Sequence, residues 1–184
     1  MSLLNTSRRY GSLSIALHWL MLAVLAAVYL CIELREYFPK GSDAREALKV
    51  WHNMLGLSVL ALVAVRLAIH LLGPTPQISP PPPRWQAIAG KLMHGALYLF
   101  MFAMPILGWL LLSAEEKPVP FFGLELPALI GPGKELAEGL EEVHETIGTL
   151  GYWLIGAHAA AALAHHYVIR DDTLRRILPR WRRA

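Results

Sequence analysis

Cysteine is almost missing from this chain: Cys31 is the single one in 184 residues. One thiol excludes an intramolecular disulfide and any metal site built on cysteine pairs, so redox chemistry here requires a bound cofactor. Cys31 itself reads as a small apolar filler. Charge is scarce as well, at 17% Asp, Glu, Lys and Arg against 55% hydrophobic residues, with a mean hydropathy of +0.40. That balance lies outside the usual composition of a soluble domain and points to a membrane protein. Acidic residues are absent altogether from the long apolar runs. A metal site of mixed histidine and carboxylate ligands, or a proton relay with its usual Asp or Glu, therefore lacks its acid inside the spans.

What is present is four apolar windows, Leu13 to Ile32, Met54 to Leu72, Leu92 to Leu112 and Ile147 to Ile169. Each is long enough to cross about 30 Å of hydrocarbon as an α-helix rising 1.5 Å per residue. Arg8 and Arg9 precede the first window, but no small-residue cleavage pattern follows it; it runs into the charged "ELREYFPKGSDARE", so it is expected to stay as a span. The expected fold is an all-α membrane protein, a four-transmembrane-helix bundle forming a single domain over residues 1–184.

With four spans both termini share a side. That side carries eleven Lys and Arg (Arg8, Arg9, Arg66, Arg84, Lys91, Arg170, Arg175, Arg176, Arg180, Arg182, Arg183) against Asp171 and Asp172, a net +9. The opposite side carries six (Arg35, Lys40, Arg45, Lys49, Lys117, Lys134) against twelve acids, a net −6. The positive-inside rule, which compares Lys and Arg alone, puts both termini in the cytoplasm. "RRILPRWRRA" then reads as a membrane flank, not as a tail for nucleic acid. Proline excludes helix from the inner loop "GPTPQISPPPPRW", which is expected to be stiff and polyproline-like. The outer loop carries an apolar "PFFGLELPALIG" expected on the membrane surface, and helix is expected to resume at "KELAEGLEEVHETIG", where apolar residues recur every three or four positions.

Histidine is the unexpected component. Rings that titrate or hydrogen-bond are costly in hydrocarbon, yet "EEVHETIGTLGYWLIGAHAAAALAHHY" holds His144, His158, His165 and His166. His144 and His158 are 14 residues apart, about 21 Å of rise and within about 40° of the same helix face; His165 stays on that face and His166 points about 100° away. Two imidazoles at two depths suit axial positions of two b-type haems, provided other spans supply partners. No CxxCH run exists for covalent attachment. His52, at the start of the second span, matches His144 in depth. For the deeper pair the spacing leaves the choice open: His18 in "IALHWLM" matches His165 at least as well as His158, and His94 is a further candidate. His70, beside Arg66, reads as an interfacial residue.

Taken together, "ALHWLM", "VWHNMLGL", "HGALYLFMFAMPILGW", "WLIGAHAAAALAHHY" and the proline-rich inner loop resemble the bacterial cytochrome b561 family over about Tyr10 to Pro179. The resemblance implies a multi-pass bacterial inner-membrane protein with two haem b groups, bis-histidine ligation by His18, His52, His144 and His158, and ubiquinone as electron-exchange partner. For the family's closest relatives it implies oxidation of superoxide to dioxygen. It also settles the inner ligand on His158, which spacing alone does not. Relatives can carry lysines in the inner loop, whereas "SPPPPRW" offers only Arg84. His165 and Trp19 lie at the right end to contact a quinone. An outer face near −6 would repel superoxide unless Lys117 or Lys134 forms a local basic funnel. The other reading is a haem-containing anchor subunit passing electrons between a partner dehydrogenase and quinone.

Overall fold

The structure, a computed structural model, describes residues 2–7 and 9–179; Arg8, Arg180, Arg182 and Arg183, which entered the charge comparison, lie outside the described residues. Its framework is four long helices, α1 (Ser12–Leu34), α2 (Asp43–Leu72), α3 (Arg84–Ala114) and α4 (Lys134–Ala164). In hydrocarbon every backbone N–H and C=O must be paired within the segment, which leaves helix as the conformation open to these apolar runs. Only 6% to 22% of the most apolar stretch of each helix is buried inside the protein. Leu99, Ile106, Leu150, Trp153 and Leu163 stand exposed along the helices, as expected of side chains that face lipid. The protein core is correspondingly thin: Met21, Val59, Val63, Phe100 and Met101 meet at mid-bundle.

The helices extend beyond their apolar windows, most of all on the polar flanks. α2 starts eleven residues before Met54, where Ser42 accepts from the Arg45 N–H and Asp43 and Glu46 complement the positive end of the helix. Arg45 is buried: its guanidinium donates to the carbonyls of Arg35 (2.9 Å) and Phe38 (3.1 Å) and pairs with Glu36 (3.0 Å), which clamps the α1 to α2 turn. α3 begins at Arg84, directly after the proline run, and carries Pro105 buried in its interior.

The apolar outer segment is more ordered than expected. β1 (Val119–Phe121) and β2 (Leu124–Leu126) form an antiparallel hairpin in the register Val119↔Leu126 and Phe121↔Leu124. Its two-residue turn, Phe122 and Gly123, has positive φ at both positions (46° and 85°), the geometry of a type I′ turn. Val119 is buried, the Phe122 N–H reaches the Met54 sulfur (3.4 Å), and the Trp109 indole donates to Pro127 O (2.9 Å), so the hairpin sits over the ends of α2 and α3.

Backbones approach closely between α1 and α2, α2 and α3, and α3 and α4. No Cα of α1 comes within 8 Å of α4; that seam is closed by side chains. Tyr29 Oη donates to Gly148 O (2.8 Å), Tyr152 Oη donates to Glu33 (2.6 Å), and the two rings lie 4.2 Å apart. At the opposite end, which carries both termini, a π-helical turn (His165–Ile169) leads to a short strap, Asp171 to Pro179. The strap is tied to the inner loop by Asp172 and Ser79, whose backbone and side-chain groups bond both ways, and to α1 by the Trp19 indole, which donates to Ile177 O (2.8 Å).

Candidate functional site

On the hairpin side, α2 and α4 each present one histidine to the bundle interior. The rings of His52 and His144 are 6.2 Å apart between centroids and inclined at 72°. They line a cavity of about 630 Å³ that all four helices bound, within the roughly 300–1,000 Å³ range of cofactor and ligand pockets. Its walls are apolar (Val28, Leu57, Phe100, Met101, Met104) with small residues at Gly56, Gly108 and Gly148. His52 Nδ1 lies 3.1 Å from Val28 O; a carbonyl only accepts, so Nδ1 carries the proton and Nε2 keeps its lone pair. That is the second-shell arrangement that prepares an imidazole for a metal. His144 Nδ1 is buried without a protein partner. A Cβ at position 108 would come 3.3 Å from His144 Cε1, so glycine there leaves the ring its place.

On the terminal side three rings meet. His18 of α1 and His158 of α4 are 6.4 Å apart at 64°, while His94 of α3 lies 5.4 Å from His158 at 65°. The Trp19 ring stands edge-on to His18 at 5.5 Å.

Ring separation tests whether these residues suit an iron held by two imidazoles. An imidazole nitrogen binds a metal at about 2.0–2.1 Å, so two opposed rings, each centred roughly 1 Å behind its nitrogen, need roughly 6 Å between centroids. The 6.2 Å and 6.4 Å pairs meet that requirement, and the 5.4 Å pair falls short. His94, the further candidate for the deeper pair, lies about three turns into α3 and reaches His158.

The other expected site residues are not brought together as one group. Trp19 has committed its N–H to the strap, and Arg84 is exposed at the first position of α3 without an ion-pair partner among the described residues. His165 acquires a partner that was not foreseen: Asp171 folds back so that its Oδ2 lies 2.5 Å from His165 Nδ1. Asp171 is buried, which raises a carboxyl's pKa, but the hydrogen bonds from His165 and from the Thr173 N–H outweigh burial and hold it below the usual carboxylate range.

Comparison with known proteins agrees with this architecture. A family model described as prokaryotic cytochrome b561 matches residues 9–180. The chain is 40% identical over 172 residues to Cytochrome b561 homolog 1 of Escherichia coli K12, covering 94% of this chain and 98% of that protein. It is 34% identical over 175 residues to Probable superoxide oxidase CybB of Yersinia pestis (95% and 98% covered), and 29% identical over 182 residues to Cytochrome b561 homolog 2 of E. coli K12 (97% and 95% covered). The chain belongs to the prokaryotic cytochrome b561 family.

A b561 cytochrome is a membrane electron-transfer protein that works through b-type haem, and the four-helix bundle described above is consistent with it. In this cytochrome the cavity mouth is acidic: Glu33, Glu46, Glu115, Glu141 and Glu145 line it against Arg35, Lys49 and Lys117. Each of the three cations is already paired, with Glu36, Glu46 and Glu115 respectively. Lys134 lies off this cavity, 3.8 Å from Glu138, and Arg45 is consumed by the α1 to α2 turn, so neither lines the cavity mouth.

Proposed function

We propose that this cytochrome holds two haem b groups, one on His52 and His144 and one on His18 and His158, and passes electrons across the bacterial inner membrane from a periplasmic donor to ubiquinone. The observation that carries the reading is the pair of cross-helix histidine couples, 6.2 Å and 6.4 Å wide, whose α4 members are 14 residues, about 21 Å of rise, apart. Superoxide, oxidised to dioxygen, is the proposed donor; the support is the likeness to a relative named as a probable superoxide oxidase. The Lys and Arg asymmetry supports cytoplasmic termini, hence a periplasmic hairpin side and a cytoplasmic quinone end.

Bound between these rings, haem supplies reversible one-electron chemistry. The protein's own part is to position and insulate. Val28 O holds His52 in the tautomer whose Nε2 is free to ligate, and the apolar walls around His144 exclude water. Gly56, Gly108 and Gly148 leave room for a flat macrocycle between helices. At the terminal end His165, Trp19 and Arg84 are the proposed quinone contacts. Two superoxide ions supply the two electrons that one quinone takes up with two protons.

The acidic cavity mouth favours a second reading, an anchor that receives electrons from a basic partner dehydrogenase instead of an anion. Steady-state turnover of the purified cytochrome with superoxide and a short-chain ubiquinone separates the two. The first reading expects catalytic quinol formation without added protein; absence of turnover until a dehydrogenase is supplied would favour the second.

A further inference from the structure

The geometry points to Asp171 as a positioning residue that makes His165 a proton donor to the quinone; this rests on the proposed cytoplasmic quinone end. His165 closes α4 seven residues beyond His158, about 10 Å further toward the terminal side and on nearly the same face. Its Nδ1 meets Asp171 Oδ2 at 2.5 Å, and among the described residues its Nε2 has no hydrogen-bond partner. A buried carboxylate on one ring nitrogen fixes the orientation of the imidazole, so that a proton carried on the other nitrogen faces away from Asp171 and can be given up.

The local backbone is built to deliver this carboxylate. The helix ends in a π turn, Arg170 takes a left-handed conformation (φ 62°, ψ 35°), and the Asp171 N–H returns to His165 O (3.1 Å). Asp171 Oδ1 is occupied by the Thr173 N–H at 2.8 Å, so Oδ2 remains for His165. The neighbouring cation does not compete: Arg176 is engaged by Pro76 O, by Asp172 and by the Tyr10 ring.

In the step itself the Nε2–H bond of the His165 imidazolium breaks and an O–H bond forms on the quinone oxygen as the electrons arrive from the donor. His165 becomes neutral, still bonded through Nδ1–H to Asp171, and is re-protonated at Nε2 from cytoplasmic solvent, which also supplies the proton for the second quinone oxygen. Asp171 neither gains nor loses a proton.

The test is stopped-flow reoxidation of the dithionite-reduced, haem-loaded protein by a short-chain ubiquinone. Asp171→Asn is expected to slow it by about 10–100-fold, the usual cost of losing such an outer-shell partner. Asp172→Asn, which loosens the strap from Ser79 and Arg176 but leaves the dyad, should stay within about twofold. His165→Gly should be slow and regain rate with added imidazole, and the double variant His165→Gly with Asp171→Asn should be no slower than His165→Gly alone, because one residue acts through the other. An Asp171→Asn rate equal to wild type, equal losses from both Asp variants, or additive losses in the double variant would each overturn the role. Wild-type protein that never passes electrons to quinone would overturn the functional reading beneath it.

Discussion

The phenol of Tyr29 stands where a side chain on Gly151 would be. A Cβ at position 151 would clash with Tyr29 Oη and with the edge of the Phe100 ring, and it is this missing atom that lets Tyr29 cross from α1 and donate to Gly148 O at 2.8 Å. Since α1 and α4 have no closer backbone approach, the tyrosine contact is a principal closure of the seam beside the histidine cavity.

Gly151→Ala should therefore cost about 1–3 kcal/mol by overpacking, with the α1 to α4 seam opening first. Gly139→Ala, on the same helix with nothing within 4 Å of its Cβ, should gain about 0.5–1 kcal/mol from lower backbone entropy. Thermal unfolding in detergent should rank Gly139→Ala at or above wild type and Gly151→Ala clearly below it.

Charge reversal at the cavity mouth tests the donor. If an anion enters there, Lys49→Glu with Lys117→Glu should lower the superoxide rate on the order of tenfold and flatten its salt dependence. Lys134→Glu, 90% exposed and off the cavity, should change little. Stopped-flow rates over a range of ionic strength read this directly, and an unchanged double-lysine variant would shift the donor toward a protein partner.

Acid should release the strap. Asp171 is held below its ordinary value of 3.8, so it adds stability that is fully present above that value and disappears as pH falls through the depressed folded value. Hydrogen-exchange protection factors of residues 171–179, taken relative to intrinsic rates at each pH, should be flat between about pH 7 and 5 and fall below about pH 4. Asp171→Asn should show fast exchange throughout.

The bundle was legible because hydrocarbon leaves backbone so little freedom that four apolar windows amount to four helices. The His52 and His144 pairing was legible for a related reason: both lie near the same end of antiparallel spans. The deeper pair was left open, with His165 set against His158 as the partner of His18 and His94 kept as a candidate, because depth along a span does not say which rings meet across the bundle; the structure brings His18, His94 and His158 together. Asp171 was read only as one of two acids on a basic flank; its return to His165 depends on a π turn and a left-handed Arg170, which hydropathy does not register. The hairpin was missed for lack of alternation in "PFFGLELP", although its phenylalanine and glycine turn carries the geometry. Arg45, counted among the six cations of the outer side, is a buried clamp because the α1 to α2 turn is short enough for one guanidinium to span.

The central claim is that two histidine couples each hold one iron, and haem stoichiometry across single variants tests it most directly. Pyridine haemochrome analysis with low-temperature spectra should give two acid-extractable haems per wild-type chain and one in each of His52→Ala, His144→Ala, His18→Ala and His158→Ala. His94→Ala should retain two, because its 5.4 Å approach to His158 is too short for a shared iron. One haem in the wild type, or loss of a haem in His94→Ala with retention in His18→Ala, would contradict the account.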